Sequence, residues 1–454
     1  MHGKSQNLMT EGSIGLHLLR FALPLFVGDL FQQLYNTADS VLVGRLIGSG
    51  ALAAVSATSN LVFLMVSFFE GLSAGAGVVI SQFFGAGDDE RMSKAVHTNF
   101  TLGLGMGAFL TVFGMLMAPV ILRWMGTPAE VMGEAVSYIR IYFAGGLALV
   151  MYNACRGIMQ AVGDSTHPLY YLILSSVLNV VLDILFIAGF HGGVGGAALA
   201  TVISQFVSVV LCVVRLMRTR EGHRLRVRSL GVDRTMLRMI LRYGVPSGLQ
   251  NSVIGIANVV VQSHINAFGT AAVAGCGAYS RIEGFAFLPI NSLNIGLTTF
   301  VGQNLGAREH GRAKKGAAIG ILSCVAIAEL IGLLVYTLSP TLLRAFTDDP
   351  QAIAFGVQKA HTCALFYCLL ACTHCLASVL RGAGKAVVPM ATMLTVWCVF
   401  RVSFLVVLTP VFRSIGVVNW VYPVTWFIST VFLGIYFFRA DWLHAFERAR
   451  ERFD

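Results

Sequence analysis

SQFFGAGDDERMSKA (residues 81–95) and GQNLGAREHGRAKKG (residues 302–316) are two versions of one polar loop, offset by 221 residues. The same offset aligns Pro119 with Pro340 and Gly163 with Gly384. A run of matches at constant spacing indicates that the chain is an internal duplication. The two halves are therefore predicted to share one fold.

The apolar runs on either side of these loops are long enough to cross a bilayer, for which a helix needs about 20 residues. Each half has six, over residues 14–43, 52–80, 96–121, 132–160, 167–190, 194–217, 236–266, 273–300, 317–343, 355–379, 388–411 and 416–439. They predict an all-α polytopic membrane protein with twelve transmembrane helices in two pseudo-symmetric six-helix lobes. We predict an amino-terminal lobe over residues 1–217, a cytoplasmic basic linker over residues 218–234 and a carboxy-terminal lobe over residues 235–454.

The composition agrees, with 56% hydrophobic and only 12% charged residues, against about 25% charged in soluble domains. Nine Arg fall between Arg215 and Arg242, on the side of the termini. The opposite loops carry four: Arg45, Arg123, Arg344 and Arg413. This bias places both termini in the cytoplasm and predicts a multi-pass protein of the plasma (inner) membrane. The net charge of +10 is thus assigned to topology, with the lipid bilayer as partner and no nucleic acid.

Polar side chains recur at helical spacing on four helices of the first half. They are Gln32, Tyr35 and Asp39 on span one, Asn153 and Arg156 on span four, Asn179 and Asp183 on span five, and Thr201 and Gln205 on span six. Residues three, four or seven apart share a helix face. The 221-residue offset places Phe400, Phe404, Tyr422 and Trp426 opposite the polar residues of spans five and six. The asymmetry predicts a polar site in the amino-terminal lobe and an apolar wall in the other.

The chemistry of this set suits a small cation. The carboxylates of Asp39 and Asp183, the Asn179 amide and the Thr201 hydroxyl offer the oxygen ligands that a hard cation such as Na⁺ prefers. The same carboxylates in a low-dielectric site bind protons more tightly. H⁺ and Na⁺ both remain open, as does a purely structural role in tying helices together. Arg156 needs a countercharge inside the bilayer, and Asp183 and Asp39 are the predicted partners.

Three segments carry a family resemblance: PLFVGDLFQQLYNTADSVLVGRLIGSGALAAVS (24–56), GLSAGAGVVISQFFGA (71–86) and NVVLDILFIAGFHGGVGGAALATVISQ (179–205). They resemble the multidrug and toxic compound extrusion (MATE) family. The resemblance implies two lobes around a central cleft and export of organic cations in exchange for H⁺ or Na⁺. The sequence is similar to the branch of this family whose cation site lies in the amino-terminal lobe. On that resemblance, the cation-coupling positions are Asp39, Asn179, Asp183 and Thr201, and the cavity is lined by Gln32, Tyr35 and Asn153. Arg156 departs from the amide expected at its position.

We therefore predict a secondary antiporter that exports small cationic or amphiphilic molecules by alternating access, with Arg156 and Gln205 also lining the substrate cavity. The alternative is a flippase for a lipid-linked saccharide or another amphiphile. The sequence has no G-x-x-x-x-G-K-[ST], H-E-x-x-H or G-x-S-x-G motif, which argues against an enzyme. We predict no cofactor and no resident metal beyond a coupling Na⁺ at Asp39, Asn179, Asp183 and Thr201, and a monomer.

Overall fold

The computed structural model describes residues 9–46, 49–127 and 129–453. Within these ranges, the side chains of residues 38–46, 49–57, 59, 60, 256 and 453 are not described. The predicted site residue Asp39 belongs to this set, so its side chain lies outside the described part of the chain.

Helices account for almost all of the described ranges, which contain no strand. The first half forms α1 (Ile14–Leu46), α2 (Ser49–Gly85), α3 (Asp89–Trp124), α4 (Ala129–Ala144), α5 (Gly146–Ala161), α6 (Thr166–Asp183), a π-helix (Ile184–Gly189) and α7 (Gly193–Arg218). A 3₁₀ turn (Val227–Ser229) follows. The second half forms α8 (Arg234–Asn266), α9 (Thr270–Gly306), α10 (His310–Arg344), α11 (Pro350–Cys363), a 3₁₀ turn (Ala364–Phe366), α12 (Tyr367–Gly382), α13 (Val387–Met393), a π-helix (Leu394–Phe400), α14 (Arg401–Phe412), α15 (Ile415–Arg439) and α16 (Ala445–Phe453).

The predicted all-α membrane fold is confirmed. Among the described residues, ten helices are long and apolar enough to span a bilayer, and α4 with α5 forms an eleventh span bent by 46°. The twelfth long helix, α8, carries the amides Gln250, Asn251, Asn258 and Gln262, which make it less apolar than the other spans. Its 33 residues reach about 50 Å at 1.5 Å per residue, more than the roughly 30 Å of a hydrocarbon core.

The repeated loop ends α2 and α9 in the same way. After α2, the Asp88 amide donates to the Phe83 carbonyl at 3.1 Å, and after α9 the Glu309 amide donates to the Asn304 carbonyl at 2.8 Å. This six-to-one bond requires a left-handed residue just before the donor. Gly87 fills that position with φ +64°, and its counterpart Arg308 adopts φ +61°. The duplication seen in the sequence is therefore also a duplication of backbone conformation.

The chain forms two compact units whose boundaries differ from the predicted lobes at two segments. The first unit contains Val27–Val245, and the second contains Leu8–Phe26 together with Pro246–Asp454. The start of α1 thus belongs to the second unit, and the start of α8 belongs to the first. Each change of unit occurs within three residues of a proline inside a helix, Pro24 in α1 and Pro246 in α8, where the ring removes a backbone hydrogen bond.

The starts of α1 and α8 each pack against a glycine, and the two glycines are related by the repeat. In the first unit, a Cβ on Gly75 of α2 would lie 2.2 Å from the Cα of Gly244 of α8. In the second unit, a Cβ on Gly296 of α9 would lie 3.2 Å from the Phe21 ring of α1. The 221-residue offset relates Gly75 to Gly296. Small residues allow helix backbones to approach closely inside a membrane, so the sequence provides one at each exchange contact.

The amino-terminal segment is held to the second unit by Arg312 of α10. The Arg312 guanidinium donates to the backbone carbonyls of Met9 at 3.1 Å, Gly12 at 2.8 Å and Glu11 at 2.8 Å. The Met9 amide in turn donates to Gln303 Oε1 at 2.9 Å. Arg312 and Gln303 both belong to the repeated loop region quoted above, which gives these residues a structural task in the second half.

Gly75→Ala is expected to destabilise the protein by about 1–3 kcal/mol, because the new methyl group meets backbone that cannot rotate away. The matched control is Gly105→Ala in α3, where a Cβ would meet nothing within 4 Å. Melting of the purified proteins in detergent measures the difference. Equal melting temperatures for the two variants would contradict the close packing of α2 against the start of α8.

Candidate functional site

Three of the predicted cation-coupling residues meet between α6 and α7. Asn179 and Asp183 lie one turn apart on α6 and are 1% and 0% exposed. Thr201 of α7 faces Asn179, with its hydroxyl 3.4 Å from the end of the Asn179 side-chain amide. Asp183 is the last residue of α6 before the π-helix Ile184–Gly189, and such wide turns are frequent at functional sites. The structure thus brings these three residues together, and their role in cation coupling stays a prediction.

The Asn179 side-chain amide connects Asp183 to α7. Its Nδ2 donates to Asp183 Oδ2 at 3.3 Å, and its Oδ1 accepts from the Thr201 backbone amide at 3.2 Å. A donated hydrogen bond stabilises the ionised form of a carboxylate. The arrangement therefore suits a charged Asp183.

The predicted cavity residues are more dispersed. Asn153 of α5 is buried and donates to the Leu149 carbonyl of its own helix at 3.0 Å. Gln205 lies one turn beyond Thr201 on α7 and is half-buried, as are Gln32 and Tyr35 on α1. The Asn153 amide therefore donates to its own helix. Gln205, in contrast, lies on the same face of α7 as Thr201. The arrangement of a complete cavity remains a prediction.

Arg156 forms an ion pair with a residue that was not among its predicted partners. Its guanidinium lies 3.5 Å from Asp29 Oδ1 of α1, with the two side chains 15% and 13% exposed. The predicted partner Asp183 instead faces Asn179, and the side chain of Asp39 is not described. Glu70 of α2 adds a second carboxylate that interacts electrostatically with Arg156. Asp29 lies one turn before Gln32 and therefore on the predicted polar face of α1. This spacing could have indicated Asp29 as a partner for Arg156.

The expectation of an apolar wall in the second half is wrong, because the second unit encloses buried charges. Lys359 of α11 and Arg401 of α14 are 2% and 1% exposed. Lys359 Nζ lies 5.0 Å and the Arg401 guanidinium 4.9 Å from the centre of the Tyr422 ring. The 221-residue offset aligns Thr201 with Tyr422. It gives no information about the cations that other helices place beside that ring.

One group of described residues has the composition of a metal site. His310 at the start of α10 and His444 and Glu447 near the carboxy terminus place one potential ligand atom each within 4.8 Å of the others. Asp441 contacts His444 Nδ1 at 2.8 Å, and Arg308 contacts Glu447 at 3.6 Å. The guanidinium already supplies a positive charge to this carboxylate, so the group is accounted for by ion pairing.

The sequence matches the family described as MatE over residues 24–185 and again over residues 246–407. The two matches start at positions related by the duplication and together cover more than half of the chain. The probable multidrug resistance protein YoeA of Bacillus subtilis (strain 168) is 29% identical over 403 residues, covering 87% of this chain and 86% of its own length.

Two solved structures share the fold. One is the outward-facing conformation of a multidrug resistance MATE family transporter of the MOP superfamily, with TM-score 0.87, 23% identity, and coverage of 100% of this chain and 99% of that chain. The other is a MATE crystal structure in complex with MaL6, with TM-score 0.87, 24% identity and coverage of 99% of both chains. With its duplicated sequence matched twice and its helical fold shared along the whole chain, this protein belongs to the MatE family of membrane transporters.

Proposed function

We propose that this protein is a secondary antiporter that exports cationic or amphiphilic small molecules in exchange for H⁺ or Na⁺ by alternating access. The observation that carries the proposal is the fully buried Asp183 carboxylate, which accepts from Asn179, whose side chain is in turn hydrogen-bonded to Thr201. A charged side chain inside a membrane protein is costly and is a functional candidate by default. The family membership and the multidrug names of its relatives support drug export as the transported activity.

The hydrogen bonds of Asn179 connect the charge of Asp183 to α7. In the ion-free state, the Asn179 nitrogen donates to the Asp183 carboxylate and lowers the cost of its charge. When Asp183 takes up a proton or a Na⁺, its charge is neutralised and this hydrogen bond weakens. Because the same side-chain amide accepts from Thr201 of α7, uptake of the ion changes a connection between α6 and α7, which is a contact able to differ between two transporter states.

Asp39 completes the proposed site, in keeping with its position on α1 one turn after Tyr35. The Asp29–Arg156 pair, also between α1 and a helix of the first unit, has a separate task. It fixes a charged contact of α1 to α5 and leaves Asp183 available for the coupling ion. Both termini in the cytoplasm, location in the plasma membrane and a monomeric state are parts of the same proposal.

The alternative, a flippase for a lipid-linked saccharide, predicts a basic cavity for a pyrophosphate. The described part of the first unit does not favour it, because the half-buried Arg156 guanidinium lies against the Asp29 carboxylate and near Glu70. An organic cation is the better match to this surplus of carboxylates.

Export is tested by measuring the uptake of a fluorescent cation such as ethidium into everted membrane vesicles. A Na⁺ gradient and a pH gradient are imposed separately, each with the other collapsed. Uptake driven by one gradient and abolished by its collapse identifies the coupling ion. Uptake that ignores both gradients and needs ATP would contradict secondary antiport, and transport of a lipid-linked saccharide analogue without ethidium uptake would favour the flippase.

A further inference from the structure

The second unit contains a cluster of two buried cations around one aromatic ring, which we name the Tyr422 cluster. It consists of Tyr422 on α15, Lys359 on α11, Arg401 on α14 and Glu283 on α9, together with Asn419, which lies one turn before Tyr422 on α15. All five lie within one compact unit. None of them takes part in the proposed coupling site of the first unit, so their charges need a separate explanation.

Aromatic rings surround both cations. Lys359 Nζ lies 5.3 Å from the centre of the Tyr279 ring and 5.0 Å from that of Tyr422. The Arg401 guanidinium lies 5.0 Å from the Trp397 ring and 4.9 Å from Tyr422. Ring faces attract cations, yet they accept only weak hydrogen bonds from an ammonium or guanidinium group. The rings therefore hold the two cations in place and leave part of their donor capacity unused.

Several polar atoms of the cluster have no hydrogen-bond partner among the described residues. Arg401 donates to Asn258 Oδ1 at 3.3 Å and to Thr425 Oγ1 at 3.0 Å, but its Nε is buried and unbonded. Lys359 has no acceptor within 3.5 Å and, like Arg401, no carboxylate oxygen within 4.0 Å. The Asn419 amide is fully buried, and neither its nitrogen nor its oxygen is bonded.

The charges of the cluster do not balance. Glu283 is the carboxylate that interacts electrostatically with both Lys359 and Arg401, and Tyr279 donates to its Oε1 at 3.3 Å. Two cations and one carboxylate leave an excess of one positive charge. Buried charges are stable only when they are paired and hydrogen-bonded. One monovalent anion would neutralise the excess and accept from the unused donors.

The cluster can be reached from the surface of the unit. Asn258, which accepts from Arg401, is exposed, and Glu283 and Tyr422 are only half-buried. Arg401 is also the first residue after the π-helix Leu394–Phe400, just as Asp183 directly precedes the other π-helix. Each unit therefore places one buried charge beside a widened helical turn, with a carboxylate in the first unit and a guanidinium in the second.

We propose that the Tyr422 cluster is an anion-binding site of the second unit, in which Lys359, Arg401 and the Asn419 amide bind a small monovalent anion. The bound group is a halide such as chloride or a carboxylate of an organic molecule, since both present one negative charge to hydrogen-bond donors. In a carrier whose first unit binds a cation, this site takes the opposite charge.

The test uses the purified full-length protein in detergent, kept at constant ionic strength with sulfate. Chloride and acetate are titrated separately, and the binding is followed by tryptophan emission, because Trp397 packs on Arg401. We expect saturable binding of at least one anion and a rise in melting temperature over the same concentration range. Chloride alone would identify an inorganic ligand, and acetate alone or in addition would identify a carboxylate site.

Lys359→Met should weaken binding at least about tenfold, since it removes a charge-assisted donor. Lys359→Arg keeps the charge and should bind within a few-fold of the wild type. Lys315→Met, at an exposed lysine of α10, is the matched control and should bind as the wild type does. If Lys359→Met does not fold, Asn419→Leu provides a neutral second variant with the same expected loss. Absence of saturable binding in the wild type, or equal affinity in Lys359→Met, would overturn the proposal.

Discussion

Asp183→Asn is expected to reduce gradient-driven export by more than about tenfold while leaving the protein folded. The substitution keeps the size of the side chain and its place beside Asn179. It replaces the carboxyl group by an amide, which can neither exchange a proton nor bind Na⁺ with a negative charge. Since the neutral amide no longer responds to the ion gradient, the gradient can no longer drive the transporter between its states.

The measurement is ethidium uptake into everted vesicles under each imposed gradient, with equal expression verified by quantitative blotting. Glu134→Gln, an exposed carboxylate of α4, is the matched control and should transport normally. Ethidium affinity of purified Asp183→Asn should remain within a few-fold of the wild type, because the lost step is coupling. Wild-type uptake by Asp183→Asn would show that this carboxylate is structural and would remove the basis for the coupling site.

Helical spacing predicted the part of the site that lies on neighbouring helices. Asn179 and Asp183 share a face of α6 because they are four residues apart, and Thr201 meets them because α6 and α7 are consecutive and packed together. Such contacts depend on local periodicity, which a sequence displays directly. The duplication likewise predicted that the two halves share one fold, and the equivalent loops after α2 and α9 have the same left-handed residue.

Partners on distant helices were not predictable in this way. Hydropathy finds where a helix crosses the bilayer, but it does not identify its neighbours, so Arg156 was assigned to Asp183 or Asp39, whereas the structure pairs it with Asp29. Lys359 was missed because it lies near the start of the predicted span 355–379, where a lysine is expected to reach the membrane surface. The helix begins earlier, at Pro350, which carries Lys359 inward. The exchanged starts of α1 and α8 depend on tertiary packing at Gly75 and Gly296.

The second large effect is expected at the ion pair of Asp29 with Arg156. Arg156→Gln removes the guanidinium and leaves the Asp29 carboxylate in a largely buried place, with 13% of its side chain exposed. Breaking a buried pair by removing one partner typically costs about 3–5 kcal/mol, because the other charge stays behind. The melting temperature of Arg156→Gln in detergent should therefore fall well below that of the wild type.

The double variant Asp29→Asn/Arg156→Gln separates the pair from mere packing. Removing both charges ends the mismatch, and neutral replacement of a complete buried pair is often nearly free of cost. We expect the double variant to regain most of the stability that Arg156→Gln loses, which gives a coupling energy of at least about 1 kcal/mol in a double-mutant cycle. Additive losses would mean that Asp29 and Arg156 act independently. Because the pair joins α1 to α5 without using Asp183, this double-mutant cycle measures a contribution to stability that is separate from the coupling step tested by Asp183→Asn.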